Sequence, residues 1–146
     1  MEDYLIILDA SGSTVEEGKR AAGDYLLRTI VNFVRDTRPE KRCGVYLWNE
    51  AITQYGTKEF AFGGKLDPKA LENLMAEHHG SPAFLITDGN YSETIRQSLL
   101  RLSATNQISI IMLGADVNRF KLQKSIGQER VFESVDVIEC IRSFIT

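Results

Sequence analysis

Tyr4-Leu5-Ile6-Ile7-Leu8 is an apolar run without a single charged interruption. A strand with one wet face alternates apolar and polar side chains, so a continuous run of this length implies a strand covered on both faces. Ala83-Phe84-Leu85-Ile86-Thr87 and Ile108 to Leu113 repeat the pattern. Between these runs lie stretches of helical period. From about Glu16 to Asp36, Ala22, Leu26, Ile30 and Phe33 recur at helical spacing; Leu71, Leu74 and Met75 follow Pro68, and Ile95, Leu99 and Leu102 mark a third helix. Ile138, Ile141 and Ile145 line a final one. Strands buried on both faces and separated by helices predict an α/β chain with an open, mostly parallel sheet.

One connection breaks the parallel rule. Cys43 to Trp48 and Ala51 to Tyr55 both read as strands, and Asn49-Glu50 alone separate them. A parallel return needs a dozen or more residues, so this pair is an antiparallel hairpin. Val131-Phe132 with its flanks supplies a short sixth strand. Right-handed crossovers then give a doubly wound, six-stranded sheet of order 3-2-1-4-5-6, strand 3 antiparallel, with helices on both faces. Residues 1–146 are expected to form a single domain.

The chain carries 17 Lys plus Arg against 20 Asp plus Glu, a formal charge of -3, with 43% hydrophobic residues. This mildly acidic balance, without a basic patch interleaved with aromatics, predicts no nucleic-acid partner. No apolar run approaches the roughly 20 residues of a membrane helix, and the N-terminus lacks the basic region of a secretory signal. Cys43 and Cys140 match no metal-ligand spacing and read as reduced thiols. A cytoplasmic location without membrane contact is the expectation. His78 and His79 are adjacent, so on a helix they point about 100° apart and suit a helix end better than a shared metal. Trp48, Tyr46 and Tyr55 sit on the hairpin, either packed under a helix or forming a contact patch. Arg96 and Arg101 read as a solvated helix face.

In open sheets of this kind the binding crevice lies beyond the carboxyl ends of the strands, where the winding reverses. Strands 1 and 4 are neighbours there, and they end in Leu8-Asp9 and Thr87-Asp88. Adjacent strands lie about 4.8 Å apart, so Asp9 and Asp88 bring two carboxylates close together. Such a pair must share a proton or recruit a cation. Asp9-Ala10-Ser11-Gly12-Ser13 adds two alternating hydroxyls, Ser11 and Ser13. Carboxylates, hydroxyls and water form an all-oxygen shell suited to Mg²⁺. The bland alternatives are helix capping by Ser13-x-x-Glu16 or Thr14-x-x-Glu17 and a plain turn at Asp88-Gly89-Asn90.

At these residues the chain resembles the von Willebrand factor A (vWA) family, of the intracellular type, with its metal-ion-dependent adhesion site. Asp9, Ser11 and Ser13 match its Asp-x-Ser-x-Ser, and Thr87-Asp88-Gly89 matches the element after the fourth strand. The resemblance implies a metal set of Asp9, Ser11, Ser13 and Asp88, holding Mg²⁺, Mn²⁺ or Ca²⁺. It implies no enzymatic activity. Its partner would be a protein presenting Asp or Glu, in an assembly such as one with an AAA+ ATPase. The middle element departs from the family: Gly63-Gly64-Lys65-Leu66-Asp67-Pro68 puts Lys65 where a ligating Thr is expected. Lys65 is then a counterion to Asp9 or Asp88 that weakens metal binding, or Thr57 supplies the hydroxyl instead. Asp116, after the fifth strand, is placed near the same rim without being a ligand. The rival class is a haloacid-dehalogenase-like phosphotransfer enzyme or a degenerate relative, with Asp9 as nucleophile. Ser11 stands where that chemistry needs an acidic residue.

Overall fold

The computed structural model describes residues 2–12, 19–56, 63–88, 91–113, 130–133 and 136–145. Within them the strands are β1 (Tyr4–Asp9), β2 (Cys43–Trp48), β3 (Ile52–Gln54), β4 (Ala83–Thr87), β5 (Ile108–Met112) and β6 (Val131–Glu133). The helices are α1 (Lys19–Thr37), α2 (Pro68–Glu77), α3 (Glu93–Ser103) and α4 (Val137–Ile145). The sheet runs β3-β2-β1-β4-β5-β6, and β3 pairs antiparallel with β2 while the other pairings are parallel. Order, strand number and the reversed third strand are those the sequence pattern predicts.

Alternation along the central strands divides the core into two layers. Ile6 and Leu8 of β1, with Phe84 and Ile86 of β4, pack toward Leu26, Ile30 and Val34 of α1 and Cys140 and Ile141 of α4. Leu5 and Ile7, with Ala83 and Leu85, face Leu71 and Met75 of α2 and Ile95 and Leu99 of α3. A run buried on both faces is thus the consequence of a helix pair on each side. The stripe on α1 differs from the predicted one at one end. Ala22 is exposed, and Gly23 takes the sheet-facing place, where an added Cβ would lie 2.8 Å from Leu8 Cδ1. Hydrophobic spacing passes over such a position because glycine has no side chain to count.

Local signals fix the helix starts on the second layer. Asp67 caps α2, accepting from the Lys69 N–H at 3.1 Å, and Pro68 occupies the first turn. Ser92 caps α3 in the same manner. The α2 end is held by His78, whose Nε2 lies 2.6 Å from Glu2 Oε2, while the Tyr46 hydroxyl donates to Glu2 Oε1 at 2.9 Å. Trp48 resolves its two alternatives by being fully buried, its Nε1–H donating to the Asp67 carbonyl at 2.9 Å; Tyr55 is exposed. Arg96 departs from the solvated face predicted for it: its side chain is 17% exposed and donates to the Tyr91 carbonyl. Arg101 is exposed and pairs with Glu72.

Trp48 bridges β2 and the start of α2 with both its ring and its N–H. Trp48→Ala is expected to cost about 3–5 kcal/mol, read as a lowered urea midpoint. Trp48→Phe keeps most of the burial and loses the bond to Asp67, about 1 kcal/mol.

Candidate metal centre

Asp9 shares its parity along β1 with Leu5 and Ile7, and Thr87 shares its parity along β4 with Ala83 and Leu85. Both therefore point toward the α2–α3 layer at the carboxyl end of the sheet. The β1–β4 register pairs Leu8 with Ile86, and one residue further on the Thr87 hydroxyl donates to Asp9 Oδ2 at 2.6 Å. The other carboxylate oxygen, Asp9 Oδ1, accepts the Ser11 N–H at 2.9 Å. Asp9 is 1% exposed, Ser11 7% and Asp88 3%. Three of the sequence-predicted site residues, Asp9, Ser11 and Asp88, thus gather in one buried cluster at the rim. The Asp88 charge is among those acting on Asp9. Ser13 and Thr57 lie outside the described residues, as do Gly89, Asn90, Asp116 and the capping segment 13–17.

Burial dominates the electrostatics of Asp9. Loss of water raises its carboxyl from 3.8 to about 6, against the hydrogen bonds of Ser11 and Thr87, which pull it down. Among the described residues no basic side chain forms an ion pair with it. Lys65, expected as the counterion, is exposed and makes no such contact with Asp9 or Asp88. The loop that carries it does reach the rim. Gly12 N–H donates to the Gly64 carbonyl at 3.0 Å and Gly63 N–H to the Ala10 carbonyl at 2.8 Å. Asn49 Nδ2 holds the Gly63 carbonyl at 3.2 Å. Gly63 and Gly64 have φ values of +131° and +76°, which side chains of L-residues disfavour. The clamp brings backbone to the site, while the exposed Lys65 side chain pairs with neither carboxylate. A pocket of about 300 Å³ opens beside it, lined by Ser11, Gly12, Lys65, Leu66 and Ile95 among others.

Two further groups escape the sequence reading. Thr87 reads as the last residue of a strand, yet strand parity aims its hydroxyl at Asp9. Tyr91, on which the sequence pattern is silent, lies just before α3 and is buried with its ring 6.4 Å from that of Trp48. Burial and the Asp9 charge hold its phenol well above the ordinary value, so it stays protonated. The signal available for both was their position relative to Asp9 and Asp88 in a fold of known order.

The donor set is carboxylate and hydroxyl oxygen, which fits a hard divalent cation. Among the described residues no three His, Cys, Asp or Glu side chains converge. A cation here would lean on hydroxyls and water, with Asp9 and Asp88 supplying the charge.

Solved structures share this architecture. Proximal thread matrix protein 1 from the mussel byssus, determined with a zinc-occupied metal-ion-dependent adhesion motif, superposes with a TM-score of 0.62 and 19% identity over 97% of this chain and 45% of its own. A von Willebrand factor type A protein from Catenulispora acidiphila gives 0.64 and 16% over 97% and 41%. The SpRpn10 VWA domain gives 0.64 and 14% over 94% of each chain. The fold is therefore that of vWA domains. This chain spans less than half the length of the mussel and Catenulispora proteins. No protein-family model and no curated protein matches the sequence.

Two outcomes follow from the charges. A carboxyl raised on folding carries no penalty below about pH 3, where folded and unfolded chains are both protonated. The penalty grows as the pH climbs to about 6 and is constant above, where the shift from 3.8 to about 6 amounts to about 3 kcal/mol. In chelator, Asp9→Asn is expected to be more stable than the wild type at pH 7 by up to that amount, the gap closing near about pH 3 in denaturant titrations. Because Lys65 is solvated, Lys65→Thr should alter Mn²⁺ affinity by no more than about thirtyfold in calorimetry, the roughly 2 kcal/mol that a unit charge exerts on a divalent ion through water at about 4 Å.

Proposed function

We propose that this chain is a non-enzymatic protein-interaction module that takes an acidic side chain of its partner through a divalent cation at the sheet rim. Asp9, Ser11, Ser13 and Asp88 would hold the ion, Mg²⁺ in the first place, with Mn²⁺ or Ca²⁺ as substitutes. The cation supplies an electropositive centre with a coordination position open to a carboxylate. The observation that carries the reading is Asp9 itself: a carboxylate 1% exposed, with no basic partner among the described residues, at the rim where the winding reverses. A carboxylate buried without a counter-charge is costly even when hydrogen-bonded, and a bound cation offsets that cost.

Thr87 fixes the orientation of Asp9, and the glycine clamp sets the wall opposite. The pocket beside Ser11 and Lys65 admits a side chain from outside, and the exposed Lys65 ammonium favours an acidic one as it approaches. The zinc in the metal-ion-dependent adhesion motif of the mussel protein supports a divalent ion on this fold. The intracellular setting and an assembly such as one with an AAA+ ATPase belong to the same proposal and rest on the motif. Among the described residues no helix is long and apolar enough to cross a membrane.

Addition of Mg²⁺ or Mn²⁺ at 100 times its Kd should stabilise the fold by about 2.7 kcal/mol. For a chain of this length that is about 5–10 °C in Tm, reversed by EDTA. Asp9→Asn should abolish the shift, and a wild type indifferent to both ions would refute the reading.

A further inference from the structure

Tyr91 is the residue immediately before the Ser92 cap of α3. Its place is fixed twice over: the ring packs on Trp48, and Arg96 Nη1 donates to its carbonyl at 2.8 Å. The side chain is 5% exposed, and its hydroxyl oxygen, shut off from solvent, has no hydrogen-bond partner. Among the described residues the Thr87 hydroxyl and the charges of Asp9 and Asp88 act on it, none of them in hydrogen-bonding geometry. The Thr87 proton is already committed to Asp9 Oδ2.

A phenol buried in the field of two carboxylates, yet bonded to neither, makes no hydrogen bond that stabilises the fold as it stands. Phenylalanine would fill the same volume without the cost of an unsatisfied buried hydroxyl. The hydroxyl gains a use once the cluster holds an ion, because coordination draws carboxylate oxygens and water into fixed positions beside it. We propose that Tyr91 is a positioning residue of the cation site, its hydroxyl hydrogen-bonding to the oxygen shell of the bound ion and so selecting the ion-holding arrangement of Asp9 and Asp88. This rests on the cation reading above. It makes the site deeper than the surface motif, with a support that reaches through Trp48 into the α2–α3 layer.

Tyr91→Phe separates this role from simple packing. Outer partners of metal ligands typically change affinity by 10- to 100-fold, and the variant is expected to bind Mn²⁺ weaker by that factor in titration calorimetry. In EDTA it should unfold at a temperature equal to or above that of the wild type, because an orphan hydroxyl has been removed. Saturating Mn²⁺ should perturb the tyrosine absorbance of the wild type, and this difference should vanish in the variant. Wild-type Mn²⁺ affinity in the variant, with a lower unfolding temperature in EDTA, would overturn the proposal and leave Tyr91 a core residue. An unperturbed tyrosine spectrum in saturated wild type would overturn it without any variant. Failure of the wild type to bind Mn²⁺ at all would overturn the cation reading and this inference together, and is recognised in the wild type alone.

Discussion

A carboxylate removed from water has three ways to persist: take a proton, accept enough hydrogen bonds, or face a positive charge. At Asp9 the second is partly met, by the Ser11 N–H and the Thr87 hydroxyl, and the first is approached, since burial lifts the carboxyl to about 6. The groups at the end of the central strand are arranged around that residual charge. Trp48 seals the layer beneath, the Ala10–Gly12 loop is tied to Gly63 and Gly64, and Asn49 holds that tie in place. Among the described residues none of these neighbours brings a cationic group, and the part of the enclosure they form is organised by oxygen and backbone dipoles.

The fold follows from two patterns acting at different ranges. Continuous apolar strands demand helices on both faces, and alternation within β1 and β4 assigns each side chain to a layer. The same alternation that sends Leu5 and Ile7 into the α2–α3 layer carries Asp9 there. The site is therefore an extension of the core pattern by one residue, with a polar side chain where the next apolar one would fall.

This explains what could be read from the residues and what could not. The sheet order was legible because Asn49-Glu50 permit a hairpin and nothing else, and because the runs at 4–8, 83–87 and 108–113 admit no exposed face. Asp9, Ser11 and Asp88 were legible because they follow strands that must be neighbours. Thr87 and Tyr91 were hidden because their roles depend on direction: one on strand parity, the other on a ring entering from the start of α3. Gly23 was hidden because it contributes absence of volume. The solvated Lys65 corrects an argument from loop approach alone, since a loop can arrive by its backbone while its side chain stays in water without an ion pair.

That last feature has a consequence for how such a rim could diversify. The loop is placed by main-chain bonds between Gly12 and Gly64 and between Gly63 and Ala10, and by one amide from Asn49. None of these bonds involves the side chain at position 65. Position 65 is thus a socket in which residue identity is uncoupled from scaffold geometry. Charge, size or polarity can be exchanged there while the frame around Asp9 stays still, so lineages sharing this frame could change clientele by single substitutions without first refolding the loop that displays them.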